Sequence, residues 1–150
     1  LDKKGKIIFI GNGGSAAESQ HFAAELVGKF LKSRRPIPSL ALTTDTSIIT
    51  SIGNDDDFKY IYSRQLEALC NKNDIVILLS TSGLSENILQ SIKYLNLNRI
   101  NYYLISSNIN VLPKNIKKII KLPGSRTDRN QEIHLIFLHS LCEAIEKIAR

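Results

Sequence analysis

No stretch of this 150-residue chain is apolar for long enough to cross a bilayer as a helix, which takes about 20 consecutive residues. Runs such as Ile7-Ile8-Phe9-Ile10 are far shorter, and no charged-then-apolar leader opens the sequence. Cysteine is scarce. Cys70 and Cys142 are the two present, and both sit in apolar helical patterns. That placement predicts buried free thiols in a reducing cytoplasm and argues against a disulfide. The phosphate-binding Walker A pattern is missing, and Gly11-Asn12-Gly13-Gly14 lacks the glycine spacing of a dinucleotide site. Aromatic residues are missing where nucleic-acid binding would need them. The net charge is +6, but its densest group, Lys114, Lys117, Lys118 and Lys121, has no interleaved rings on which bases could stack. Those lysines read as a solvated surface.

What is present describes one globular domain over residues 1–150, with 43% hydrophobic and 23% charged residues. The chain opens at Leu1, almost on top of its first strand, so native N-terminal residues are expected to precede it. Strand-like and helix-like stretches alternate throughout. Strands are predicted at Lys6–Ile10, Ser39–Leu42, Asp74–Ser80, Asn101–Ser106 and Lys117–Leu122. Helices are predicted at Ala16–Lys29, Thr46–Ile52, Phe58–Asn71, Leu84–Leu97 and Arg129–Arg150. The nearly unbroken apolar run from Ile75 to Leu79 marks a central strand covered on both faces. Strands separated by helices imply right-handed crossovers. The expected fold is therefore α/β, a three-layer sandwich with a doubly wound, mostly parallel five-stranded sheet. Ligands in such sheets bind outside the carboxyl ends of the strands.

Two glycine-containing loops fall at that edge. Gly11-Asn12-Gly13-Gly14-Ser15 joins the first strand to the first helix, where backbone N–H groups and the helix dipole suit an anionic or hydroxyl-rich ligand. Ser80-Thr81-Ser82-Gly83-Leu84-Ser85 does the same after the central strand. A single serine would suffice to cap the following helix, whereas four hydroxyls in six residues suit a phosphate. Without nucleotide motifs, a sugar phosphate fits these loops better than a nucleotide.

The three histidines are His21, His134 and His139. His21 and Glu25 are four apart and project from one helical face. Gln131, Leu135 and His139 share one stripe of the last helix, while His134 falls more than a quarter-turn away from His139. Two histidines and a glutamate make an accepted zinc set, with the Gln131 amide a weaker fourth ligand. Spacing within helices leaves open whether the two helices meet. Asn54-Asp55 reads either as a turn or as part of the strand-end site. Asp128 is expected to cap the last helix. The stretch Phe30–Pro38, with Lys32, Arg34 and Arg35, reads either as a loop folded over a site or as one facing water, and water is the expectation.

Taken in order, Gly11-Asn12-Gly13-Gly14-Ser15 with His21-x3-Glu25, Gly53-Asn54-Asp55, Ser80-Thr81-Ser82-Gly83-x-Ser85 and Asp128-Arg129-x-Gln131-Glu132-x-His134-x4-His139 resemble the phosphoheptose isomerases, a family of sugar-isomerase (SIS) domain proteins. The resemblance runs from the first strand to the last helix. It implies conversion of sedoheptulose 7-phosphate to D-glycero-D-manno-heptose 7-phosphate, the first step towards activated heptose for lipopolysaccharide, capsule or S-layer glycans. It further implies that Asn12, Gly13, Gly14, Glu25, Asn54, Asp55 and Gln131 contact substrate and that Ser80, Thr81, Ser82 and Ser85 hold its phosphate. His21, Glu25, Gln131 and His139 correspond to the family's zinc site, and Glu25 and His139 to its acid/base pair. The family carries N-terminal helices and forms a cytoplasmic homotetramer with active sites at subunit boundaries. No nucleic acid or membrane partner is implied. Asp56, Asp57 and Leu84 depart from the family pattern and bear on substrate selectivity.

The chemistry implied is ketose–aldose exchange through a cis-enediol. Glu25 would take the proton from the carbon beside the carbonyl, and His139 would move a proton between the two oxygens. A carboxylate bound to zinc is a poorer base, so either the metal mainly organises the site or Glu25 shifts between roles. The alternative is a non-catalytic SIS module that binds a sugar phosphate or a protein partner, as the DnaA-associating proteins of this fold do. Such a module has no need of Glu25, Gln131 and His139 together.

Overall fold

The computed structural model describes residues 4–107 and 116–148. Five strands, β1 (Ile7–Gly11), β2 (Ser39–Ala41), β3 (Ile75–Leu79), β4 (Asn101–Ser106) and β5 (Ile119–Lys121), form one sheet in the order β2-β1-β3-β4-β5. Every neighbouring pair is parallel, as the alternation of strands and helices predicts. The helices are α1 (Gly14–Val27), α2 (Thr46–Asp55), α3 (Ser63–Leu69), α4 (Glu86–Asn98) and α5 (Thr127–Ile148).

Strand side chains alternate between the two faces, and the core divides accordingly. Ile8, Ile10, Val76, Leu78, Tyr102 and Leu104 point to one side, where Ile61, Leu66, Ile88, Ile92 and Leu95 from the α3 and α4 region cover them. Ile7, Phe9, Ile77, Leu79 and Ile105 point to the other, against Phe22 and Leu26 of α1 and Leu138 and Cys142 of α5. The sheet is thus buried on both faces, which explains its unbroken apolar strands.

The strand order reverses direction between β1 and β3, the switch point at which a ligand crevice opens in this class of sheet. Gly11 at the end of β1 pairs with Leu79 at the end of β3, so the two glycine loops leave the sheet side by side.

Several sequence expectations need correction. The single helix predicted over Phe58–Asn71 is a 3-10 turn at Phe58–Tyr60 followed by the short α3. Asp57 tightens that turn by accepting the Lys59 amide on its side chain. Gly53-Asn54-Asp55 is the last turn of α2, not a loop. Asp128 does not cap α5. The helix starts at Thr127, two residues earlier than expected, and Asp128 lies inside its first turn with its carboxylate on the Arg126 guanidinium at 2.7 Å. Both cysteines are free, but only Cys142 is fully buried; Cys70 is half-buried just past the end of α3. Burial pushes each thiol up to about 11, so both stay protonated and unreactive at neutral pH. Lys117, Lys118 and Lys121 are exposed, while Lys114 lies outside the described residues.

Candidate active site

The first loop is shaped by its glycines. Gly13 sits at φ +54°, ψ −121°, a conformation that side chains strongly disfavour. A Cβ on Gly11 would lie 2.6 Å from the Ser15 carbonyl oxygen, so the chain can turn into α1 this tightly only without one. No side chain caps the start of α1. Two further contacts fix the loop. The buried Tyr62 hydroxyl donates to the Gly11 carbonyl, and burial pushes that phenol up to about 12, which keeps its proton in place. The side chains of Asn12 and Asn87 exchange two hydrogen bonds, at 2.8 and 2.9 Å, tying the loop to the start of α4.

The second loop is an internally bonded nest. Ser80 Oγ accepts the Gly83 amide at 3.0 Å, and Ser82 Oγ accepts the Leu84 amide at 3.2 Å. Ser85 is the residue before α4, yet its hydroxyl makes no capping bond. An uncapped helix start with a half-buried serine hydroxyl beside it is a ready acceptor site for an anion.

Between the loops lies a cleft of about 280 Å³ lined by Asn12, Gly13, Gly14, Ser80, Thr81, Ser82 and Ser85, closed on one side by Thr127 and Gln131 from the start of α5. Gln131 lies over Gly14, where a Cβ would come within 2.2 Å of its amide nitrogen. Asn54 and Asp55 lie outside this cleft. Both are exposed at the end of α2, with the Asn54 amide donating to Asp55 Oδ1 at 2.7 Å.

The two helices whose meeting the sequence left open do meet. His21 Nε2 of α1 lies 3.0 Å from His139 Nε2 of α5 and 3.5 Å from Glu25 Oε1 one turn further along α1. One donor atom from each of the three residues falls within 4.8 Å of the others. Two donors on a tetrahedral zinc ion lie about 3.3 Å apart, given Zn–N and Zn–O bonds of roughly 2.0–2.2 Å. The 3.0 and 3.5 Å edges bracket that value, so this donor set fits a metal ion of zinc's size. Gln131, two helical turns before His139, is about 12 Å away along the axis, at the cleft end of the same stripe.

His134 is separate from this group, as its position on the helix implies. It is fully buried with its Nδ1 3.5 Å from Glu18 Oε2 of α1, where the two helices pack, and neither side chain makes a hydrogen bond there. Glu18, Thr127 and Asn87 carry no motif that marks them, and sequence reading missed all three. The expectation that Phe30–Pro38 faces water holds for Lys32 and Arg35 but fails for Phe30, Arg34 and Ile37, the last buried in the core. The Phe30 ring stacks on His139, and the Arg34 side chain is only 5% exposed, paired with Glu146. A linker reads as solvated when its partners come from the far end of the chain.

Residues 1–99 match the SIS domain family pattern. A phosphoheptose isomerase of Campylobacter jejuni is 45% identical over 148 residues, covering 98% of this chain and 80% of that protein. The solved phosphoheptose isomerase of Francisella tularensis superimposes with a TM-score of 0.86 at 32% identity, covering 95% of this chain and 77% of that one. The enzyme of Neisseria gonorrhoeae gives a TM-score of 0.79 at 36% identity with the same coverages. With the fold, both glycine loops and the α1–α5 cluster in place, the chain belongs to the phosphoheptose isomerase family of SIS-domain proteins.

Proposed function

We propose that this protein is a cytoplasmic ketose–aldose isomerase that converts sedoheptulose 7-phosphate to D-glycero-D-manno-heptose 7-phosphate, a precursor of activated heptose for surface glycans. The observation that carries the reading is the meeting of His21, Glu25 and His139 on the same two helices, α1 and α5, whose first residues line a hydroxyl-rich cleft at the sheet's switch point. The names of its relatives point to the same chemistry. A module that only binds a sugar phosphate needs the cleft but not the convergent carboxylate and imidazoles.

In this reading the phosphate rests on Ser80, Thr81, Ser82 and Ser85 at the start of α4, held by hydroxyl and amide donors and by the helix dipole. Asn12, Gly13, Gly14 and Gln131 grip the sugar chain, with the Gly13–Gly14 backbone close to its hydroxyls. The Glu25 carboxylate takes the proton from the carbon beside the carbonyl, and the His139 imidazole carries a proton between the two oxygens of the cis-enediol. His21, Glu25 and His139 are the residues that would hold one zinc ion per subunit, and Gln131 would join them only by its side chain reaching along the helix from the cleft end of the stripe. Zinc, when bound, supplies polarisation of the substrate carbonyl. The active form is a homotetramer with sites at subunit boundaries. The exposure of Asn54 and Asp55, away from their own cleft, supports a role for them in a neighbouring subunit's site.

The test is coupled turnover with sedoheptulose 7-phosphate and fructose 6-phosphate in parallel. Aldose formation from the seven-carbon ketose alone supports the reading. Turnover of the six-carbon substrate instead would move the specificity, and no turnover of either would leave a binding module.

A further inference from the structure

The imidazole plane of a histidine is poorly fixed by its own backbone, because the terminal side-chain torsion has broad, shallow minima. For His139 to exchange protons with a substrate oxygen, something else must hold that plane. Three rings surround it. His21 and Phe22 approach edge-on, with centroids at 5.2 and 5.3 Å and planes inclined by 76° and 65°. Phe30 lies against its flat face, centroids 5.4 Å apart and planes only 16° from parallel. This offset-stacked geometry is the arrangement aromatic pairs favour.

Phe30 belongs to the linker between α1 and β2, which would be loose if nothing held it. Glu146, on α5 two turns beyond His139, holds it. Its carboxylate, 2% exposed, accepts the backbone amides of Phe30, Leu31 and Lys32 at 3.0, 3.1 and 3.2 Å and the Arg34 Nε at 3.2 Å. The same Arg34 guanidinium donates to the carbonyls of Glu25 and Leu26 at 2.7 and 2.8 Å, closing the end of α1. Burial alone would raise the Glu146 carboxyl, but these three amides and Arg34 hold it below the usual range, so it is ionised at neutral pH. One buried ion pair therefore ties together the carbonyl end of the helix that carries Glu25, the linker that carries Phe30 and the helix that carries His139.

We infer that Phe30 is a positioning residue for His139, and that the Arg34–Glu146 pair is the clamp that keeps its ring in register. The inference rests on the assignment of His139 as the proton carrier. Its consequence is a specific split. Loss of the flat face lets the imidazole rotate away from the reacting oxygens without disturbing the phosphate loop.

The experiment compares Phe30→Leu, Phe30→Tyr, Glu146→Gln and His139→Ala in the full chain, by steady-state turnover of sedoheptulose 7-phosphate and by the NMR shifts of the His139 ring protons. Phe30→Leu should lower kcat by about tenfold or more, since small misplacements of a reacting group carry costs of that order. KM should stay within roughly twofold, because uniform binding is untouched. Phe30→Tyr should restore kcat. Glu146→Gln should move kcat in the same direction as Phe30→Leu, and both should remove the ring-current shift that Phe30 imposes on His139. Phe30→Leu with wild-type kcat, while His139→Ala is inactive, would overturn the inference. An unchanged His139 signal in Phe30→Leu would overturn it independently of activity. Turnover surviving in His139→Ala would instead remove the catalytic assignment, and the positioning role with it.

Discussion

His21 Nε2 and His139 Nε2 face each other at 3.0 Å although 118 residues separate them. With Glu25 at 3.5 Å, the pair forms a pocket of lone pairs for a cation. His21→Ala should weaken zinc binding by about tenfold or more, the scale on which even supporting partners of a metal site act. Calorimetric titration of metal-stripped protein with zinc checks this. Equal affinity in the variant would place any metal elsewhere.

Ser85 precedes α4 without capping it, whereas Ser80 holds the Gly83 amide. The two serines should therefore separate in mutation. Ser85→Ala should leave the melting temperature close to wild type and raise KM for the phosphorylated substrate roughly tenfold, the value of one hydrogen bond to a charged group. Ser80→Ala should lower both affinity and stability. Thermal melts alongside KM values distinguish the two.

A methyl group on Gly14 would land on the Gln131 amide, at 2.2 Å from its nitrogen and 2.6 Å from its oxygen. The obstacle is the tip of a flexible side chain, so the fold can yield while the cleft cannot keep its shape. Gly14→Ala should fold with little change in melting temperature and lose most of its turnover. Gln131→Ala introduced into that variant would relieve the clash without restoring the amide, so activity should stay low.

Asp74 is fully buried at the start of β3, where its carboxylate takes the Lys6 ammonium at 2.6 Å and the Lys6 and Asn71 amides at 2.9 and 2.8 Å. Burial alone would raise this carboxyl, but the Lys6 side chain and the two amides outweigh it and hold it below the ordinary value. A carboxylate depressed in the folded state stabilises fully above its unfolded value, about 3.9, and that contribution is lost as pH falls through the folded value. Stability should therefore decline below about pH 4. Asp74→Asn should cost about 3 kcal/mol at pH 7, as breaking one side of a buried pair does, and should flatten the acid limb. Melting temperatures from pH 7 down to pH 3 measure both effects.

The sequence was most legible where chemistry and periodicity act locally. Apolar strands, glycine turns and the His21–Glu25 face are each contained within a few residues, and all five strands appear where the alternation places them. The approach of α1 to α5 was not legible, because helical spacing fixes a face without naming its partner. Arg34 gave the same difficulty. Its charge reads as solvated until Glu146, 112 positions later, is seen to bury it. Asp128 failed for a smaller reason, since a start shifted by two residues turns a cap into a first-turn carboxylate. Gln131 lay on the right stripe, but its place over Gly14 depends on how closely the first loop meets α5.

The central claim is that Glu25 is the base that opens the reaction, set beside His21 and His139 for that purpose. Its most direct test is the turnover of sedoheptulose 7-phosphate by Glu25→Gln, a change that keeps the shape and removes the charge. The account predicts a folded protein whose kcat falls by about 10² to 10⁴, the contribution of a positioned acid or base. A Glu25→Gln enzyme forming the aldose at the wild-type rate would contradict it.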